Sequence, residues 1–221
     1  MTQIFHCFAS PSSRLQLLNL LNRYTSLPSF ENDAPALAAH PLMSSILTSL
    51  LVDNSTTTCV IGLTVVTKLL PIFAVKDSAQ LKRMLPFLFA ILARVMCWKE
   101  SHPHSAEEAH SGLSRSTNDK GDKQTTQGIM ECSCCLGLRP ELGWQRLEPN
   151  SSPNTSPAPS PQRFFSFLYY LFPSNLVNYL RNPVAYMAGS DTESPYCVDW
   201  EAVFDQEQVK TKSEVDFSLL Y

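Results

Sequence analysis

The chain has 221 residues, of which 44% are hydrophobic and 17% are charged, and its net charge is −3. Residues 1–100 carry eight Lys and Arg against five acids, so this part is +3 and the remainder is −6. Neither part is basic enough for a nucleic-acid footprint, and we expect no nucleic-acid partner. The start, MTQIFHCF, lacks the features of an export signal, and the seven irregularly spaced cysteines fit free thiols in a reducing compartment.

The first part of the chain predicts amphipathic helices. Ser12 or Ser13 is placed to cap a helix over residues 14–24. Residues 27–39 contain two prolines with Asn and Asp, which predicts a loop. Pro41 suits the first turn of a second helix that ends near Asp53.

Two longer helices follow. Ser55 is placed to cap a third helix that runs through residue 70 and is stopped by Pro71. Asp77 is placed to cap a fourth helix over residues 78–98, in which Pro86 should cause a kink or a break. The short connections favour antiparallel neighbours, so we expect packed helix hairpins.

Residues 101–161 change character, because Ser, Thr, Asn, Gly and Pro dominate there. Such a composition buries too little apolar surface to offset its ordering entropy, so most of this segment is predicted to be disordered. The island at residues 137–149, GLRPELGWQRLEP, is expected to dock locally through its Leu and Trp side chains.

Beyond the insert the helical pattern returns. Residues 164–172 and 174–181 predict one bent helix or two short ones, with Ser174 as a cap. A loop at 189–196 and a last helix from near Asp199 follow. We therefore divide the chain into helical repeats at 1–100, a disordered Ser- and Pro-rich insert at 101–161, and a truncated continuation of the helical domain at 162–221.

A multi-spanning membrane protein is one alternative, because residues 57–75 and 84–98 are apolar. Lys68 and Pro71 interrupt the first segment and Arg94 enters the second, and each charge at mid-bilayer costs about 2.5–3.5 kcal/mol. Buried helices of a globular protein fit this pattern better.

A zinc or redox module is the other alternative. Cys132, Cys134 and Cys135 form a CxCC cluster with histidines upstream, but no second pair of ligands completes a zinc site. Reactive thiols in a linker are the simpler interpretation, and we predict neither a metal nor a cofactor.

No sequence signature of catalysis is present. GxSxG, GxxxxGK[ST], GxGxxG and HExxH are all missing from the sequence, which predicts that the chain is not an enzyme. Asp53-Asn54 could be imagined as a catalytic thumb for a GTPase, but a turn at the end of a helix is the commoner use of such a pair.

Two blocks of the sequence resemble the N-terminal domain of the hamartin family, the scaffold of the tuberous sclerosis complex, in its fungal form. The first is HPLMSSILTSLLVDNSTTTCVIGLTVVTKLLPIF with the following LKRMLPFLFAILARVMCW, and the second is RFFSFLYYLFPSNLVNYLRNPVAY. Together they cover about half of the chain. These are packing motifs, and their order and spacing carry the resemblance.

The resemblance implies an all-α, HEAT-like solenoid of helical hairpins, interrupted here by the insert. It also implies a non-catalytic scaffold subunit whose tuberin-like partner stimulates GTP hydrolysis by a Rheb-like GTPase and so restrains TOR signalling. The family's localisation is cytoplasmic, with peripheral binding to phosphoinositide-bearing vacuolar or lysosomal membranes. The family continues into a tuberin-binding coiled coil, which this sequence does not contain, so we expect the chain to be a fragment.

Partner contacts are predicted at the aromatic helix after the insert and at one face of the fourth helix. The candidate interface residues are Phe164, Phe165, Tyr169, Tyr170, Phe172, Leu85 and Phe89. Each of them also fits a plain core position.

Overall fold

The structure is a computed structural model that describes residues 8, 10–98, 136–148, 158–190 and 192–218. These residues form α-helices with one 3-10 turn, and no β-strand occurs among them. The helices are α1 (Pro11–Tyr24), α2 (Phe30–Ala38), α3 (Pro41–Val52), α4 (Thr56–Lys76), α5 (Ser78–Met96), α6 (Gln162–Leu171), α7 (Pro173–Arg181), α8 (Pro183–Ala188), α9 (Trp200–Val203) and α10 (Gln206–Ser218), with the 3-10 turn at Pro140–Leu142.

Helix α4 is the centre of the fold. It packs against α1, α2, α3, α5 and α6, and α10 closes over α5 and α7. Within the described residues, α4 is the one single helix that is long and apolar enough to cross a membrane, and α2 with α3 qualifies only as a pair bent by 76°. Half of the apolar window of α4 is buried inside the fold, so packing accounts for that half. The second apolar segment of the membrane alternative, at 84–98, lies mostly in α5, which does not qualify.

Side-chain caps fix three of the helix starts that the sequence predicts. Nδ1 of His40 accepts a hydrogen bond from the Leu42 amide at the start of α3. The Ser55 hydroxyl accepts one from the Thr58 amide at the start of α4, and Asp77 does the same at α5. Each cap satisfies an amide that would otherwise lack a partner inside the helix.

Proline does not break the helices where the sequence predicts it. Helix α4 continues through Pro71 to Lys76, and α5 continues through Pro86 without a break. An interior proline costs about 3 kcal/mol. Burial of Phe73 beyond Pro71, and of Leu88 and Phe89 beyond Pro86, offsets this cost because each large apolar side chain contributes about 1.5–3 kcal/mol.

Three other predicted elements are corrected. Residues 27–39 contain helix α2, because Phe30, Ala34 and Leu37 form a buried stripe at helical spacing. Helix α7 begins at Pro173 with Phe172 as its N-cap residue, and Ser174 is not its cap. The last predicted helix is two helices, separated at Phe204-Asp205, and α8 was not predicted at all.

The helices on the two sides of the insert share one hydrophobic core. It contains Phe30 and Leu63 from the first part together with Phe164, Leu176 and Val209 from the last part. Residues 136–148 of the predicted disordered insert have a defined structure and pack on this core through Leu136 and Trp144. Residues 99–135, which include most of the predicted disorder, lie outside the described residues.

Candidate functional site

A buried ion pair joins the first helix to the end of the third. Arg14 in α1 and Asp53 after α3 expose 0% and 1% of their side chains. Nη1 of Arg14 donates to both carboxylate oxygens of Asp53, at 2.8 and 2.7 Å, and its Nε donates to the Phe8 carbonyl at 3.2 Å. Either charge alone in this interior would cost several kcal/mol, so the two are tolerated there only together.

Residues 136–148, called the docked segment below, contact both members of the ion pair. The Trp144 Nε1–H and the Leu147 amide each donate to Oδ1 of Asp53 at 3.1 Å. The Arg14 guanidinium stacks on the Trp144 ring, 4.1 Å from its centroid, and donates to the Gln145 carbonyl at 3.2 Å. The docked segment therefore binds the carboxylate of Asp53 and the guanidinium of Arg14 together.

A second arginine closes the carboxyl end of α3. Arg94 in α5 donates from Nη1 to the Leu50 carbonyl at 2.7 Å and from Nη2 to the Asp53 carbonyl at 2.6 Å. These are carbonyls at a helix end, which lack partners within the helix. The guanidinium also lies over the Trp98 ring at 4.7 Å, so α3 and α5 are joined by polar as well as apolar contacts.

Arg14, Asp53, Arg94 and the docked segment together form what we call the polar junction. Further hydrogen bonds extend it to the last part of the chain. The backbone amide of Asn54 donates to the Leu147 carbonyl at 2.7 Å. The Tyr196 hydroxyl, which is buried, donates to the Leu51 carbonyl at 2.6 Å. Burial raises the pKa of Tyr196, so the phenol stays protonated and remains a donor.

The hydrogen bonds to the Asp53 carboxylate give it a structural role at this junction. Both Asp53 oxygens are occupied, since Oδ2 also accepts from the Ser49 hydroxyl at 2.6 Å. Asp53 and Asn54 expose 1% and 3% of their surface, so a GTPase cannot reach them. The alternative of a catalytic thumb at Asp53-Asn54 is therefore wrong for this fold.

The predicted partner-interface residues divide by burial. Phe164, Phe165, Leu85 and Phe89 expose at most 4% of their surface and belong to the protein's own core. They occupy the core positions that the sequence also allowed for them, so a partner would reach them only if the fold opened. Tyr169 and Phe172 are half-buried, whereas Tyr170 is 73% exposed. Partner contacts at Tyr169, Tyr170 and Phe172 stay predictions.

Aromatic packing explains why those phenylalanines are inside. Phe89 of α5 stacks on Tyr179 of α7, with ring centroids 5.2 Å apart, and meets Tyr186 edge-on at 5.4 Å. Phe165 of α6 packs edge-on against Phe217 of α10 at 5.0 Å. Ring contacts therefore join α7 to α5 and α6 to α10.

Thiols and metal ligands give no second site in the described part of the chain. Cys132, Cys134 and Cys135 lie outside it, and no group of three or more His, Cys, Asp or Glu among the described residues could hold a metal ion. Burial raises the pKa of Cys59 to about 11, which keeps this thiol protonated, whereas Cys197 is exposed.

The fold defines the class of the protein: an irregular helical solenoid of packed hairpins, braced by a polar junction that has a structural role. No family model matches the sequence, and no curated protein matches it. Solved structures do match the fold.

A structure described as the TSC1 N-terminal domain superimposes with a TM-score of 0.60 at 22% identity, covering 97% of this chain and 44% of its own. A structure of the TSC1 N-terminal and linker domains gives 0.60 at 19% identity, covering 97% and 41%. The chain thus has the fold of the hamartin N-terminal domain, as the sequence motifs predicted, and spans less than half the length of these two chains.

Proposed function

We propose that the chain is a non-catalytic scaffold subunit of a hamartin–tuberin-type GTPase-activating complex. The observation that carries the proposal is the match of 97% of the chain to the TSC1 N-terminal domain. Hairpin solenoids bury one helix face and offer others to partners, which suits a scaffold. In this role the chain acts through binding, while a tuberin-like subunit supplies the activity toward a Rheb-like GTPase and so restrains TOR signalling.

The same proposal places the chain in the cytoplasm, with a peripheral association with vacuolar or lysosomal membranes. A phosphoinositide surface is the lipid partner that the family resemblance implies. The described residues of α1 to α5 carry a small excess of positive charge, which is compatible with an anionic membrane surface.

The test is to tag the full-length protein at its own locus, purify it from its own cells and identify associated proteins by mass spectrometry. A tuberin-like subunit, with GTP hydrolysis by the small GTPase stimulated by the purified complex, is the expected result. A tagged protein that brings down no GTPase-activating subunit would refute the complex.

Two single substitutions sharpen the test. Tyr170→Ala changes the exposed residue of the predicted interface, and Val75→Ala changes another exposed apolar residue, 82% exposed, at the end of α4. Loss of a co-purifying subunit with Tyr170→Ala and not with Val75→Ala would support the predicted interface. Equal behaviour of the two variants would remove Tyr170 from it.

A further inference from the structure

A groove of about 890 Å³ runs between α4 and the start of α6. Its α4 wall is a stripe formed by Val60, Leu63, Thr64, Thr67, Lys68 and Pro71. The stripe repeats at steps of three and one, so it is one continuous face of the helix. At 1.5 Å per residue it is about 16 Å long, which is roughly three turns of a second helix laid alongside it.

The opposite wall, at the start of α6, contributes two phenylalanines and one positive charge. Phe164 closes the bottom, Phe167 stands at the rim with 38% of its surface exposed, and Arg163 lies beside it. The apolar side chains of the groove are Val60, Leu63, Pro71, Phe164 and Phe167. An amphipathic helix packs its apolar face on a lining of this kind.

The charges of the groove all have one sign. Lys68 and Arg163 line it, and no Asp or Glu does. Lys68 Nζ donates to the Asn22 side-chain oxygen at 2.7 Å, to the Ser26 hydroxyl at 2.9 Å and to the Asn22 backbone carbonyl at 3.4 Å, all of them neutral groups. Neither cation forms an ion pair with a carboxylate in the part of the chain that the structure describes. The positive charge is thus left for an anionic occupant.

We propose that this groove binds an acidic amphipathic helix of a partner protein. The inference rests on the proposed scaffold function and names the chemistry of one partner. Apolar side chains of the helix pack on Val60, Leu63 and Phe167, while its carboxylates face Lys68 and Arg163. A concave groove with an apolar floor fits a helix better than a flat bilayer surface, because both walls contact the ligand.

The test uses the full chain and two fluorescein-labelled peptides of about 15 residues, the length at which an isolated helix becomes marginally stable in water. Both carry Leu at helical spacing. One has Glu beside the Leu stripe and the other has Lys at the same positions. Fluorescence anisotropy should show that the protein prefers the Glu peptide by roughly tenfold or more.

Charge reversal is the decisive variant. Lys68→Glu with Arg163→Glu should abolish the preference for the Glu peptide and favour the Lys peptide instead. The matched control, Lys82→Glu with Arg83→Glu, makes the same change in net charge at exposed positions of α5 outside the groove and should keep the preference. No preference in the unchanged protein, or an equal loss in the control, would overturn the proposal.

Filling the groove gives an independent check. Thr64→Trp places a ring on the exposed part of the stripe and should weaken the Glu peptide at least tenfold, whereas Val75→Trp on the same helix should not. Two alternative occupants have their own outcomes, and each would overturn the inference. Self-association of the unchanged protein that Thr64→Trp abolishes would indicate a second copy. Binding to phosphatidylserine-containing vesicles that the charge reversal abolishes, without peptide binding, would indicate a membrane.

These results are separate from the test of the proposed function. The peptide assay needs neither a tuberin-like subunit nor a GTPase, so the groove proposal can fail while the complex is recovered from cells. Conversely, the groove can bind the Glu peptide in a protein that brings down no GTPase-activating subunit.

Discussion

Replacing Asp53 by alanine should lower the free energy of unfolding much more than removing an ion pair at the protein surface. The substitution leaves Arg14 charged and fully buried and removes the acceptor of the Ser49, Trp144 and Leu147 donors. Removing one partner of a buried pair costs about 3–5 kcal/mol. Total stabilities are about 5–15 kcal/mol, so the loss is a large fraction of the whole.

Urea denaturation followed by circular dichroism measures this cost. With a slope of about 2 kcal/mol per molar urea, a loss of about 4 kcal/mol lowers the midpoint by about 2 M. The control is Glu193→Gln, which removes the 2.5 Å ion pair to Arg139 at the surface, where Glu193 is 82% exposed. Exposed pairs contribute about 0–1 kcal/mol, so this midpoint should barely move.

Hydrogen exchange identifies where the damage begins. In Asp53→Ala the amide of Leu147 loses its acceptor, so the docked segment should exchange much faster than α4. If Asp53→Ala cost no more than Glu193→Gln, or if Leu147 kept its protection, the junction would not hold the docked segment in place. The fold would then tolerate the buried Arg14 charge without its carboxylate partner.

Three further substitutions or measurements test other features. Tyr196→Phe removes the buried donor to the Leu51 carbonyl and should cost about 1–3 kcal/mol in the same urea assay, and no loss would contradict the hydrogen bond. Maleimide at pH 8 should label Cys197 within minutes and leave Cys59 unlabelled, as read by peptide mass spectra. The pKa of Cys59 is about 11, so roughly one Cys59 thiol in a thousand is a thiolate at this pH, and burial also blocks access of the reagent. Burial raises the pKa of Asp216 above 3.8, so the folded state is penalised as the pH rises through that raised pKa. Asp216→Asn should therefore raise Tm at pH 7 and have little effect below about pH 4, and equal Tm gains at both pH values would contradict this.

Much of the helical framework could be predicted from local signals. The caps at Ser55 and Asp77 and the apolar spacing of α3, α4 and α5 are such signals. Each of them involves only residues that are close together in the chain, so it is visible in the sequence. The errors at Pro71 and in α2 have a different origin. There the local preference of proline is outweighed by packing against helices that are distant in sequence.

The polar junction could not be predicted, because its members are far apart in the chain. Arg14 and Asp53 are 39 residues apart, and Trp144 lies 91 residues beyond Asp53. One local signal was present: Arg14 shares a helix face with Leu18 and Leu21, so a charge stands in an otherwise apolar stripe. Such a residue predicts a buried partner, but the sequence alone does not say which acid it meets.

The shared core also has a consequence for how the protein can be cut. Leu136 and Trp144 of the docked segment, with Phe164 and Leu176 after it, pack on helices that precede residue 99. A protease that cleaves within residues 99–135 would break the chain without removing any of these contacts. The two fragments should therefore stay together as a noncovalent pair, and cleavage would be seen on a denaturing gel but not by gel filtration.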